Sequence, residues 1–376
     1  MCAPEPLNAV FIGTAFILRI KELLAEHYLD VTAVSKVYKR LILATCIGLS
    51  AVVLPPKASA ETMHEACEPE ERIVRLSHVV SVSGHPKGDA AATFAKRVNT
   101  AMDGRLCVVV FPNSMLYDDN EVMAALKNGQ VEIAAPSLSK LDPVTQSYRV
   151  FDRPFTFDSL EALDRFASGT AGQELLTVME KDGFVGLGYL LSGMKQFTAD
   201  RPLVWPGMAH GRTFRIQSSE TLAAMVEGIG ATPRMLAFRD VYGALMRGDV
   251  DGQENSWCNI ATQRFFEVQD SVTRTNHGVL AYLLVTSSDF LDSLDPHDRR
   301  QFVAIAKRTV EDANAQAAIK EARCEGMIAA EGVLIHELDA SARAAWLRAM
   351  QPVYKEIDQK IGEALVRAAL ASNSAS

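Results

Sequence analysis

The sequence predicts an α/β protein with two similar lobes and long helices at its C-terminal end. Three patterns lead there: a β-α-β-α-β alternation beginning at Ile73, a second β/α series between residues 183 and 255, and a C-terminal third of almost unbroken helical periodicity. Strands and helices in that order argue for a mostly parallel sheet covered on both faces.

In the first series, IVRLSHVV from Ile73 reads as a strand and GDAAATFAKRVNTAM from Gly88 as an amphipathic helix. LCVVVFP from Leu106 is the second strand. DDNEVMAALKNG is a helix with acidic residues at its start and Asn128-Gly129 at its end, as capping and the helix dipole favour. VEIAAPS from Val131 is the third strand. The second series runs GFVGLGYL, TFRIQ, the helix SSETLAAMVEGIG capped by Ser218 or Ser219, the strand-like PRMLAF, the helix RDVYGALMRG and DVDGQEN. An internal echo links the two: Leu126-x-x-Gly129-x-Val131-Glu132 and Leu245-x-x-Gly248-x-Val250-Asp251 each close a helix and open a strand. With the doubled series this favours two similar lobes over one large sheet. Helical patterns then cover residues 295–332 and about 341–370, before a frayed SNSAS tail.

Length and composition fit this picture. The 376 residues suffice for two domains, and 48% hydrophobic with 22% charged residues is ordinary globular composition. A net charge of -8 without any Lys/Arg block sets nucleic-acid binding aside. Lys36, Lys39 and Arg40 precede the apolar run LILATCIGLSAVVL and the small-x-small site Ala58-Ser59-Ala60, the layout of a secretory signal peptide cleaved near Ala60. That run is too short to span a bilayer of ~30 Å. Residues 1 to about 35 lie ahead of the basic region and read as a gene-model extension, so residues 1–60 stand outside the fold. They carry six Lys/Arg and four Asp/Glu, which leaves the remainder two units more acidic. Export places the protein in the periplasm, where disulfides are permitted. Cys67, Cys107, Cys258 and Cys324 remain, but their spacings match no disulfide framework or metal pattern, and no bridge is assigned. Cys107, inside LCVVVF, is expected in the core.

The sequence carries no recognisable catalytic constellation. HExxH, GxSxG and P-loop patterns are absent, and Gly186-Leu-Gly188 lacks the third glycine of a dinucleotide fingerprint. Ser137-Leu-Ser-Lys140 and Ser192-Gly-Met-Lys195 match Ser-x-x-Lys, without the Ser-Asp-Asn and Lys-Thr-Gly partners of a penicillin-binding enzyme. His64-Glu-Ala-Cys67 suggests no metal site. The sequence is read as non-enzymatic, with no cofactor and no metal.

Binding chemistry is more visible. An anion enclosed in a cleft loses its water, at several kcal/mol unless charge and hydrogen bonds replace it. Arginine suits that task because its planar fork meets both carboxylate oxygens and stays protonated. GRTFRIQSSE puts Arg215 in a strand pattern directly before a helix start, and DGQENSW puts Asn255 at a similar strand exit. Ligands of β/α folds sit where strands end and helices begin. From the residues alone, Arg215 serves equally as an edge residue facing solvent or paired with a nearby Glu.

The segments SHVVSVSGHPKG, FPNSMLYDDNEVMAALKNG, APSLSK, FDRPF, GMKQFTAD, FRIQSS, MLAFRDVYGAL and DVDGQEN occur in that order. Together they resemble the substrate-binding proteins of tripartite ATP-independent periplasmic (TRAP) transporters, of the DctP type that receives C4-dicarboxylates. The resemblance covers about residues 73–370. It implies a two-lobed periplasmic solute-binding fold with interleaved lobes, residues 61–192 and 281–320 forming lobe I, and 193–280 and 321–376 lobe II. It implies that Arg215 clamps one ligand carboxylate, that Asn255 hydrogen-bonds the same end, and that Phe238 packs on the ligand. Lys195, Lys87, His78, Lys140 and Ser137 complete the implied ligand-binding set, the basic members meeting a distal carboxylate. The chain departs from the family pattern at the YLLSG segment after Gly188 and at Asn276-His277-Gly278-Val279-Leu280, which bears on which acid is held. The implied partners are a small organic acid and the small and large membrane subunits of a TRAP permease. Alternatives are a receptor for a sugar acid, keto acid or monocarboxylate and, more remotely, an extracytoplasmic enzyme using Ser192 and Lys195.

Overall fold

Two β-α-β-α-β units recur along the chain and use the same strand order. The computed structural model describes residues 67–374 except Asp103, so the signal-peptide reading and its cleavage site near Ala60 lie outside the described residues. The first unit is β1 (Arg72–Ser77), α1 (Pro86–Ala101), β2 (Leu106–Phe111), α2 (Val122–Lys127) and β3 (Ile133–Ala134). After α3 (Leu160–Ser168), α4 (Thr170–Thr177) and the long strand β4 (Phe184–Ala199) comes the second unit. It consists of β5 (Thr213–Ile216), α5 (Glu220–Gly228), β6 (Thr232–Met235), α6 (Val241–Arg247) and β7 (Gly252–Asn255). α7 (Trp257–Thr262), a second long strand β8 (Ser271–Ser287), α8 (Ser288–Asp292), α9 (Pro296–Ala315), α10 (Ala317–Ala330), β9 (Leu334–Glu337), α11 (Ala340–Ile361) and α12 (Glu363–Ala371) complete the chain.

The sheet runs β2-β1-β3-β8-β4-β7-β5-β6, with β9 added on β8. β1 pairs in parallel with β2 and β3, and β5 in parallel with β6 and β7. Each triplet then meets a long strand antiparallel, β3 on the end of β8 and β7 on the end of β4. The two-lobed α/β fold is the one the sequence predicts, but two lobes and one large sheet prove not to be alternatives. Two β/α units exist, but β4 and β8 run through both and join their ladders into one nine-stranded sheet. The sequence reading ended the β4 strand near Leu190 and assigned no strand at β8. Both strands are buried for most of their length and so lack a clean alternation.

Local chemistry explains the elements. LCVVVF is buried at every position but Val110, as a parallel strand covered on both faces requires. α1 begins with His85 as N-cap and Pro86 at its first position, where a missing N–H costs nothing. Ser219 caps α5 by accepting from Leu222 N, settling the Ser218/Ser219 alternative. The internal echo falls at the matching α2→β3 and α6→β7 turns, with Gly129 at φ 65° and Gly248 at φ 73°, a left-handed conformation open to glycine at little cost. α11 braces both units: Trp346 is fully buried and donates to Val204 O, while Asp358 holds Arg153 at 2.6 Å.

The four cysteines pair as Cys67–Cys107 and Cys258–Cys324. Cys107 is in the core as expected. Separations of 40 and 66 residues carry no spacing signal that sequence reasoning could use. The second bridge ties α7 to α10. Glu321 on α10 adds to this by accepting from Trp257 N and Cys258 N, both at 3.0 Å.

Candidate ligand-binding site

The carboxyl ends of the parallel strands in both units converge on one cavity, the place where β/α folds hold ligands. β5 delivers Arg215 and, just beyond it, Gln217; β7 delivers Asn255, and the turn after β6 delivers Phe238. From the other unit come Lys140, beyond β3, and the Asp118–Asn120 turn before α2. Tyr282 on β8 and Asn259 on α7 close the cavity.

Arg215 is 1% exposed. Its Nε and Nη2 donate to Leu236 O at 3.2 and 3.0 Å, which fixes the guanidinium plane. Nη1 is buried without any partner. Burial lowers its pKa from 12.5 to about 10, against the opposing pull of Glu254 and Asp119. A buried donor left unmade costs about 1–3 kcal/mol, more when charged, so this nitrogen marks where an acceptor is missing. Phe238, half-buried, stands with its ring centroid 5.9 Å from the guanidinium carbon.

Lys140 faces Arg215 across the cavity. Its Nζ donates to Asn120 Oδ1 at 2.8 Å and Ser218 Oγ at 2.9 Å, and burial followed by repulsion from Arg215 pushes it down to about 8. Behind the cavity wall, Lys87 is wholly buried, with Nζ 3.6 Å from the centroid of the Tyr282 ring and one hydrogen bond, to Ala135 O. Burial likewise takes Lys87 down to about 8, with Asp119 opposing. His78 is pushed to about 3 by burial and by Lys87, so it is neutral at pH 7, and neither ring nitrogen has a hydrogen-bond partner. Ser137 Oγ, also buried, is unpartnered as well.

Four of the eight residues named from the sequence therefore line the cavity: Arg215, Asn255, Lys140 and Phe238. Lys87, His78 and Ser137 lie in the buried polar layer of the first unit. Lys195 stands apart. Its Nζ is 3.0 Å from Glu254 Oε2 and 3.9 Å from Asp152, and it reaches the cavity only through Gln217 Oε1 at 3.4 Å. The Ser-x-x-Lys pairs form no dyad: Ser192 Oγ bonds Ser256 Oγ, and Ser137 Oγ bonds nothing. No hydroxyl is thus activated by its lysine. Among the described residues the one close group of metal-ligand types is Cys67, Glu71 and Cys107, whose sulfurs are spent in the disulfide.

Sequence reasoning missed Val79, Asp118, Asp119, Asn120, Gln217, Asn259 and Tyr282. The first five sit inside the quoted segments SHVVSVSGHPKG, FPNSMLYDDNEVMAALKNG and FRIQSS. Asn259 follows Asn255 by four residues across a helix start, a spacing that was available. Tyr282 carried no signal because its strand was not recognised.

Comparison with known proteins places the chain in a family. The family model described as "Bacterial extracellular solute-binding protein, family 7" (DctP) matches residues 76–360. The C4-dicarboxylate-binding periplasmic protein DctP of Vibrio cholerae is 45% identical over 308 residues, spanning 82% of this chain and 92% of that protein. A TRAP periplasmic solute-binding protein of Shewanella oneidensis, solved with bound succinate, superposes with a TM-score of 0.79 at 40% identity, covering 80% of this chain and 99% of its own. Its counterpart from Pseudomonas aeruginosa, with bound L-malate, gives 0.73 at 39% identity, covering 76% and 99%.

Proposed function

Because the chain belongs to the bacterial extracellular solute-binding protein family 7, we propose that it captures a C4-dicarboxylate such as malate, succinate or fumarate outside the cytoplasm and delivers it to the membrane subunits of a TRAP-type permease. The observation that carries this reading is Arg215: a buried guanidinium, held in plane by Leu236 O, with Nη1 unpartnered in the cavity. Support for the acid's class comes from relatives and structural neighbours named for C4-dicarboxylates or solved with succinate and malate.

One carboxylate pairs with Arg215 and accepts from Asn255. The distal carboxylate meets Lys140, backed by the charge of Lys87 behind the cavity wall. His78 and Ser137 stand in the same buried layer, and His78 adds no charge there because it is neutral at pH 7. Lys195 is committed to Glu254 and is left out of the ligand set; its role is to hold Gln217. Of the boundaries proposed for the two lobes, residues 61–192 with 281–320 and 193–280 with 321–376, those at 192/193 and 280/281 are supported by the register shift between Leu191–Ala281 and Gly193–Leu280, whereas that at 320/321 falls inside α10. A ligand touching both lobes favours the closed arrangement only by its differential affinity for that state. Export through a leader cleaved near Ala60, a periplasmic location and the absence of catalysis belong to the same proposal.

A thermal-shift panel on the chain from residue 61 onward tests it. A ligand at about 100 times its dissociation constant stabilises by ~2.7 kcal/mol. Succinate, L-malate and fumarate shift the transition. A panel in which only sugar acids, keto acids or monocarboxylates do so removes the C4 assignment and keeps the clamp; no shift by any carboxylate removes the receptor reading.

A further inference from the structure

His85 touches no part of the cavity, yet it begins a chain of hydrogen bonds that ends in the site. It is fully buried at the start of α1. Its Nδ1 accepts the backbone N–H of Lys87 at 3.1 Å, and its Nε2 lies 2.8 Å from Asn259 Oδ1. A backbone amide can only donate, so Nδ1 carries no proton and the ring is the Nε2–H tautomer. Nε2 then donates, and Asn259 must present its oxygen to His85 and its NH2 to the other side. That NH2 donates to Asn255 Oδ1 and to Tyr282 OH. With its oxygen taken, Asn255 turns its own NH2 outward, giving one hydrogen to Gln253 Oε1 at 3.0 Å and leaving the other for the cavity.

We infer that His85 is a positioning residue: its fixed tautomer sets the amide polarity of Asn259 and, together with the Gln253 end of the chain, that of Asn255, so that Asn255 offers a donor, not an acceptor, to the bound carboxylate. The inference rests on the receptor reading above. The far end of the chain agrees with this polarity. Beyond Gln253, Thr198 gives its hydroxyl proton to Gln269 Oε1 at 3.0 Å, and Gln269 Nε2 donates to Val268 O, so Thr198 accepts from Gln253 and the Gln253 oxygen is left for Asn255. Reversing Asn259 would set its NH2 against the Nε2–H of His85, and reversing Asn255 would set two NH2 groups face to face. An Asn255 with its oxygen toward the ligand would repel a carboxylate.

The test separates this role from capping. Asn is among the best N-cap residues, so His85→Asn keeps the cap on α1 but supplies no donor to Asn259. Wild type, His85→Asn, Asn259→Ala and the double variant are titrated calorimetrically with succinate and L-malate, and their unliganded melting temperatures are recorded. Loss of a hydrogen bond to a charged group corresponds to about tenfold in affinity. His85→Asn weakens binding about tenfold and lowers the unliganded melting temperature by a few degrees, because Asn259 Oδ1 loses its donor; Asn259→Ala reproduces the loss of affinity, and adding His85→Asn to Asn259→Ala changes the affinity less than twofold. Wild-type affinity in either single variant, or losses that multiply in the double variant, overturns the relay while the receptor reading stands. Failure of wild type to bind either acid overturns both.

Discussion

Replacing Arg215 by Met separates function from stability in opposite directions. In this structure the guanidinium is fully buried, Nη1 has no protein partner, and burial brings its pKa from 12.5 to about 10. That fall corresponds to roughly 3 kcal/mol of disfavoured charge. Met fills similar volume without a charge, but it forfeits two hydrogen bonds to Leu236 O, about 1 kcal/mol each. The balance is a gain of ~1 kcal/mol for the empty protein, about 2 °C in melting temperature at this chain length. A ligand carboxylate left facing Met is a buried charge without its partner, costing about 3–5 kcal/mol, or roughly 10²–10⁴ in affinity. Differential scanning calorimetry with and without succinate reads both effects in one experiment. Arg215→Met should melt at or slightly above wild type when empty and show almost no ligand-induced shift. A variant that loses several degrees when empty would mean Arg215 is a structural ion; a retained ligand shift would mean the clamp lies elsewhere.

Other expectations follow from charges and cross-links. Lys140 and Lys87 are both lowered to about 8 by burial, so dicarboxylate affinity should fall as pH rises above about 8 from its value at pH 7, with Lys140→Met reducing the slope; titrations between pH 7 and 10 measure this. Their effect on folding has the opposite sign. Between about 8 and 10.5 the unfolded chain binds more protons, so these two lysines make the empty protein more stable with rising pH there, as chemical denaturation at successive pH values would record. Glu321→Ala strands Trp257 N and Cys258 N and should cost about 2 kcal/mol or more in a urea titration. Removing the Cys258–Cys324 bridge, which closes a separation of 66 residues, should cost ~4 kcal/mol, seen as a melting temperature lower by on the order of 10 °C.

Legibility from the sequence followed burial. The β/α units, their caps and the glycine turns were readable because amphipathic helices and Gly129 or Gly248 leave local signatures. β8 was not, because a strand covered on both faces shows neither alternation nor helical period, and Tyr282 vanished with it. At the site, Arg215 was recognisable as a group suited to a carboxylate, but residues alone left it balanced between ligand and solvent. Its 1% exposure and its unpartnered Nη1 are properties of packing. Lys195 shows the converse: a lysine in a quoted segment whose charge is absorbed by Glu254, a partner 59 positions away that no local pattern connects to it.

The two units are joined by β4 and β8, which stay hydrogen-bonded to each other from Phe184–Ser287 to Ala199–Ser271 apart from three irregularities. Such a junction behaves as a leaf spring, not a pin. Relative movement of the units has to bend two paired strands, and the bending concentrates where the ladder slips, at Gly186/Gly188, Leu191/Gly193 and Lys195/Phe197. Gly193 sits at one of these points with Glu321 against it: a Cβ there would lie 2.0 Å from Glu321 Oε2. The elastic work of flexing these points opposes or assists capture according to the unstrained shape of the strands. Any closure about a ligand would carry this elastic work, so residues that never touch the ligand would enter its affinity.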